Sequence, residues 1–312
     1  DTQRYAESEQ MYKAALKIVK RLAESDPQTY ELDLAQSYGC LAALYSATQR
    51  YVKSEQMYKA SLDILKRMSE SNPQTYEPDL AIYYGGLGLL YGCTQRYAES
   101  EQMFKAALEI RKRLAGSNPQ VYEPDLAKNY HALAILYIYT QRHAESEQMF
   151  KAALEIYKHL AKSNPQTYEY DLANCYYNLA ILYADTHRFN ESEQMHKMAL
   201  EIYKRLAEAN PQANEPDLAS IYYSLANLYS DTQRYAESEL MYKAALDIHK
   251  RLAESNPQTY DPDLASIYYS LANLYSDAKR YAESEQMYKV AVAIYERLYE
   301  DVPQRYQSRL AK

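Results

Sequence analysis

The sequence predicts an all-α fold, a solenoid of paired helices, on three observations. The chain repeats itself every 46 residues: Thr2, Thr48, Thr94, Thr140, Thr186 and Thr232 each open the same phrase, and Ala278 opens a seventh. Each copy carries two helical patterns. The 11 prolines gather at the boundaries of those patterns, in connectors or at helix starts. A period of this size, built from helix pairs, is the mark of a stacked architecture in which each unit buries its apolar face against its neighbours.

The second copy shows the elements. Glu77-Pro78-Asp79 precedes an apolar pattern from Leu80 to about Cys93, helix A, with Pro and an acid where a helix starts. Tyr84, Leu87, Gly88 and Tyr91 fall on one helical face. Thr94-Gln95-Arg96 turns the chain into helix B, from about Tyr97 to Ser117, whose face is Tyr97, Ser100, Phe104, Ala107 and Leu108, with Ile110 and Leu114 beyond. Asn118-Pro119 stops it, because Pro119 lacks a donor and pushes Asn118 out of the α region. A connector then leads to the next helix A near Asp125.

The bulk numbers bound the function. Of 312 residues, 47% are hydrophobic, enough for a continuous core. The net charge of −7 argues against nucleic acid, which calls for a basic face. No apolar run approaches the roughly 18 residues of a membrane span, and no signal peptide is visible. The three cysteines, Cys40, Cys93 and Cys175, share no repeat position and read as free structural thiols, so a cytoplasmic chain is expected.

The phrase Tyr-x-x-Leu-Ala-x-x-Tyr, five residues, Tyr-x-x-Ser-x-x-x-Tyr-x-x-Ala-Leu resembles the tetratricopeptide repeat (TPR). In one copy it is carried by Tyr222, Leu225, Ala226, Tyr229, Tyr235, Ser238, Tyr242, Ala245 and Leu246. The longer phrase Leu-Ala-Asn-Leu-Tyr…Arg-Tyr-x-Glu-Ser-Glu is similar to the kinesin-light-chain type. The departures are Tyr for the family's first Trp, Ser for Ala at Ser238 and its equivalents, and a longer unit, whose extra length is expected in helix B and the connector. The resemblance implies a right-handed α-α superhelix of antiparallel helix pairs. Small residues recur in helix A (Ala42, Gly88, Ala134, Ala180, Ala226, Ala272) and helix B (Ser54, Ser100, Ser146, Ser192, Ser238, Ser284), as close helix approach requires. One array is expected over 1–312, with seven B helices, six A helices and a degenerate C-terminal cap over 300–312. Asp1 falls partway through a repeat, which leaves an N-terminal edge open to self-association and motivates a second reading, the sensor or regulatory arm of a larger protein.

No catalytic, cofactor or phosphate-binding signature is present. Gly85-Gly86-Leu87-Gly88 lies inside helix A, not between strand and helix, so it is no phosphate loop; it reads as helix thinning that leaves room for something bulky. The six histidines share no metal spacing. A non-enzymatic interaction scaffold is therefore expected.

Partner contacts are sought where the copies differ. The resemblance implies that helix A lines the concave face, through positions one, four, eight, eleven and twelve after the Ala of Asp-Leu-Ala. In the first two copies these are small or apolar, including Gly39, Ala43, Ile82, Gly85 and Leu89. Later copies supply Lys128 and His131, then Asn174, Tyr177 and Asp185, then Tyr223, Asn227 and Asp231, then Tyr269, Asn273 and Asp277. Asn amides offer donor and acceptor to an extended backbone, a role the kinesin-light-chain resemblance also implies for Asn227 and Asn273. Tyr adds contact area at low entropy cost. The Asp ladder favours a neutral to basic peptide or protein segment.

Overall fold

A computed structural model describes residues 2–301, and all regular structure among them is helical. The B helices are α1 (Thr2–Ser25), α3 (Tyr51–Ser71), α5 (Tyr97–Ser117), α7 (His143–Ser163), α9 (Phe189–Ala209), α11 (Tyr235–Ser255) and α13 (Tyr281–Asp301). The A helices are α2 (Pro27–Ala47), α4 (Pro73–Cys93), α6 (Pro119–Tyr139), α8 (Pro165–Asp185), α10 (Pro211–Asp231) and α12 (Pro257–Asp277). Consecutive helices pack as antiparallel pairs. The chain divides into two compact units, Asp1–Leu160 and Ala161–Lys312. The expected cap over 302–312 lies outside the described residues.

The expected start of helix A is wrong by nearly two turns. Helix α4 begins at Pro73, not near Leu80, so the supposed connector is helical and Pro78 lies inside the helix. Pro124, Pro216 and Pro262 do the same in α6, α10 and α12. Asn72 explains this, because it ends α3 and caps α4 at once: its side chain accepts from the Thr75 N–H at 3.3 Å. Asn-Pro is thus both a stop and a start, with Pro at the first helical position where its missing donor costs nothing. Helices α2 and α8 start at the same point with Leu32 and Tyr170 in place of the internal proline. The internal proline is therefore tolerated rather than needed. The extra length of the repeat accordingly goes into both helices, 21 residues each, and not into a connector.

The predicted faces of the second copy meet. Ser100, Phe104, Ala107, Leu108, Ile110 and Leu114 are buried in α5, and Leu87, Gly88 and Tyr91 in α4. The two small-residue columns touch directly. Ser100 Oγ donates to the Gly88 carbonyl at 2.7 Å, and Ser54, Ser146, Ser192, Ser238 and Ser284 donate to Ala42, Ala134, Ala180, Ala226 and Ala272 at 2.8 Å. This is why Ser stands where the family has Ala: the hydroxyl fills the close approach and finds an acceptor there.

Each A–B turn closes on a left-handed residue, Gln95 at φ 60° in the second copy, with Arg96 N–H donating to the Tyr91 carbonyl at 2.8 Å. Arg96 then ties one repeat to the previous one. Its Nη1 donates to Glu55 at 2.7 Å, Tyr91 OH donates to the same carboxylate at 3.0 Å, and the guanidinium lies 4.1 Å over the Tyr91 ring. Lys59 completes the cluster at 2.8 Å. Arg and Lys together hold the Glu55 carboxyl down at about 2. The same latch recurs at Glu9 and Glu101 in the first unit and at Glu193 and Glu239 in the second.

Candidate functional site

The A helices of each unit present the side chains that vary from copy to copy, and the two units present different chemistry.

In the first unit the face is apolar and thinned by glycine. A Cβ on Gly39 would run into the Tyr83 ring, and one on Gly86 would stand 2.7 Å from the Tyr58 hydroxyl. The bulky groups that the glycines accommodate are thus the protein's own. A cavity of about 340 Å³ opens beside them, lined by Gly39, Ile82, Gly85, Leu89, Arg111 and Lys128 among others. A second, of about 490 Å³, shares Leu89, Phe104 and Ala132 and continues along His131 and Ile135 to Tyr139. Tyr139 stacks on Tyr97 with ring centroids 6.1 Å apart. His131 meets the Phe150 ring edge-on at 5.4 Å, and burial pulls its imidazole down to about 4, so it is neutral. Lys128 is exposed and lies 3.9 Å from Asp125.

In the second unit the face is a ladder of hydroxyls and amides. Tyr177 OH and Ser224 Oγ are 3.0 Å apart, and Tyr223 OH and Ser270 Oγ 2.9 Å, so each tyrosine reaches the A helix of the next copy. Tyr177 stands edge-on to His196, Tyr223 to Tyr242 and Tyr269 to Tyr288. The hydroxyls of Tyr242 and Tyr288 donate to the carbonyl oxygens of Asn227 and Asn273. One lone pair of each Asn carbonyl oxygen is thus taken by a tyrosine of helix B. Asn174 accepts from Asn178 at 2.7 Å. Asp185, Asp231 and Asp277 are exposed at the ends of their helices.

The structure gathers Lys128 and His131 on the cavity walls of the first unit. It gathers Tyr177 and Tyr223 around a cavity of about 300 Å³ in the second, with Ser220, His249, Asp263, Ser266 and Ile267. Asn174, Asp185, Asn227, Asp231, Tyr269, Asn273 and Asp277 line none of these. Helix B also supplies wall residues, and sequence reasoning confined to helix A missed the polar ones among them that vary, Arg111 and His249. The signal was present: their column reads Val19, Leu65, Arg111, Tyr157, Tyr203, His249 and Tyr295, as variable as any on helix A. Among the described residues no group of three or more His, Cys, Asp or Glu could hold a metal ion. No helix among them is long and apolar enough to cross a membrane.

Sequence models of the tetratricopeptide repeat match residues 33–113, 79–159, 172–213 and 217–297. Comparison with curated proteins finds no match. Solved structures share the fold at low identity. A STAND signal transduction ATPase with a tetratricopeptide repeat sensor from Pyrococcus horikoshii is 16% identical, with a TM-score of 0.69, over 96% of this chain and 42% of that one. RapI in its apo form is 14% identical, with a TM-score of 0.58, over 92% and 91%. A Podosopora anserina protein described as a kinesin light chain of nearly identical TPR-like repeats is 15% identical, with a TM-score of 0.55, over 68% and 92%.

Proposed function

This chain belongs to the tetratricopeptide repeat family, and from that premise we propose that it is a non-enzymatic scaffold whose A-helix faces hold an extended peptide or a segment of a protein partner. The observation that carries the reading is where the copies differ. The columns that repeat faithfully build the helix pairs, while Lys128, His131, Tyr177 and Tyr223 vary and line cavities. In the second unit Asn227 and Asn273 offer amide donors to backbone carbonyls, flanked by Tyr223 and Tyr269. Asn174, Asp185, Asp231 and Asp277 add polar and acidic contacts, so this unit takes a neutral to basic segment. The net charge supports a protein rather than a nucleic-acid partner, and three free cysteines support a reducing cytoplasm.

The test is peptide capture on an array, with Asn227→Ala/Asn273→Ala beside Tyr242→Phe/Tyr288→Phe. The Asn pair should cost roughly tenfold in retention with helicity intact, because one to two backbone hydrogen bonds are lost. The Phe pair, which removes only the internal partner of the Asn carbonyls, should retain capture. Equal loss in both would make the Asn residues supports for tyrosine and nothing more.

A second reading is a sensor arm of a larger protein with an effector module. It draws on the likeness to the STAND protein, which carries a tetratricopeptide repeat sensor. The reading frame around this sequence decides it: an adjoining ATPase, kinase or protease module supports a sensor arm, and its absence removes it.

A further inference from the structure

Arg111 is out of pattern in charge as well as in column. Between Arg50 and Arg297 every other arginine has a carboxylate partner: Glu9 for Arg50, Glu31 for Arg67, Glu55 for Arg96, Glu77 for Arg113, Glu101 for Arg142 and Glu191 for Arg188. Arg205, Arg234, Arg251, Arg280 and Arg297 continue the rule. Arg111 alone among them has none within 4 Å. Its Nη1 donates to Asn129 Oδ1 at 2.9 Å, and Asn129, 1% exposed, donates in turn to the Phe104 carbonyl at 3.1 Å. Both terminal nitrogens lie over Gly85, with Nη2 3.5 Å from where a Cβ would stand.

The surroundings make this costly. The guanidinium lines the 340 Å³ cavity with Leu89, Tyr83 and Phe104, and burial lowers its pKa. A half-buried charge with one neutral partner destabilises a fold unless something else compensates it. Lys128 stands on the same wall, and Asp125 is the one acid near both. Asp79 acts on Tyr83 on the same wall, but neither acid forms an ion pair with Arg111, whose charge is the one left without a carboxylate. Leu89, 59% exposed, stands on the cavity wall and is shared with the 490 Å³ cavity that runs to Tyr139, 67% exposed.

We propose that the A-helix face of the first unit is a docking site for an extended peptide segment with an acidic side chain, its carboxylate seated on Arg111 and Lys128 and a neighbouring aliphatic side chain passing over Leu89 toward Tyr139. An Arg fork matches a carboxylate in two parallel hydrogen bonds, and Gly85 keeps the wall beside it low enough for a ligand to reach the guanidinium. The proposal rests on the interaction-scaffold reading and assigns this unit a ligand chemistry opposite to that of the second. Leu65 stands in the same column one copy earlier, so the scaffold accepts an apolar residue there.

The test uses the full chain on an array of acetylated, amidated decapeptides of Leu and Ala with Glu, Gln or Lys at the centre. Wild type should retain Glu peptides about tenfold over Gln, the gain of a charge-assisted pair over a neutral one. Arg111→Leu should abolish that preference with helicity retained, and Lys128→Ala should reduce it a few-fold. Asn227→Ala/Asn273→Ala should leave it intact. Retention of Glu and Gln alike by wild type overturns this proposal while leaving the scaffold reading standing; no retention of any peptide overturns both. An unchanged preference in Arg111→Leu makes the arginine structural. A preference seen only with free C-terminal carboxylates replaces the side chain by a chain terminus and also overturns it.

Discussion

The two units build the same helix pairs and finish their A faces in opposite ways. In the first, Gly39 lies under the Tyr83 ring and Gly85 under Arg111, so the bulk comes from a neighbouring helix and the face is low and apolar. In the second, Tyr177, Tyr223 and Tyr269 occupy the column of Gly39 and Gly85, while Ile221 and Ile267 occupy that of Tyr83. Large and small exchange places between the two columns. The Asn column behaves likewise. Asn227 and Asn273 sit against Tyr242 and Tyr288, whose hydroxyls need an acceptor. Leu89 and Ile135 hold the same places before Phe104 and Phe150, which have no hydroxyl. Substitutions in this chain come in packed pairs, and the pairs set the shape and polarity of each face.

The sharpest way to break the comparison is to swap one member of a pair. Gly39→Tyr alone forces two rings into one space, and it should cost about 3 kcal/mol, the upper range of overpacking. Tyr83→Ile alone should cost about 2 kcal/mol from lost packing. The double variant imitates the Tyr223 and Ile267 pair and should recover most of the loss, a coupling well beyond the few tenths expected of independent sites. Additive losses in chemical denaturation would show that the columns vary independently.

Much of this was legible in the residues, and what was not has a physical reason. The period, the helix pairs and the small-residue contact were all visible, because they repeat and repetition averages away local accidents. The start of helix A was missed because Asn72-Pro73 was read only as a stop, when one residue can end a helix and cap the next. Arg111 was missed because variable positions were sought on helix A alone. Arg111 reaches the A face over Gly85, and periodicity does not reveal that pairing.

Acid tests what the units share. Glu55 and Glu193 are both held at about 2, below their unfolded value near 4.5, first by Arg96 and Arg234. A depressed carboxylate contributes stability that is present above its unfolded pKa and lost as pH falls through the folded one. Both units should therefore weaken between about pH 5 and pH 2, by roughly 1–2 kcal/mol per latch after allowance for solvent screening. Hydrogen exchange resolved by segment would show it. Glu55→Gln should reduce the pH dependence in the first unit alone, by the share of one latch. Acid loss confined to one unit would mean that the latches, though alike in geometry, carry unequal energy.

The smallest expected effect concerns Gly88, the one glycine in a column of alanines. A Cβ there would stand 3.0 Å from the Phe104 ring, so the ring must yield by a few tenths of an ångström. The next copy shows that it does: Ala134 and Phe150 occupy the equivalent places, both fully buried, and Ser146 still donates to the Ala134 carbonyl at 2.8 Å. Replacing a mid-helix glycine by alanine removes backbone entropy from the unfolded chain, a gain of about 0.5–1 kcal/mol. Gly88→Ala should accordingly raise the melting temperature slightly. A fall instead would mean that Phe104 cannot yield, its backbone carbonyl being fixed by Asn129 and, through Asn129, by Arg111. The thinning of α4 would then belong to the arginine's site and not to the packing of the pair.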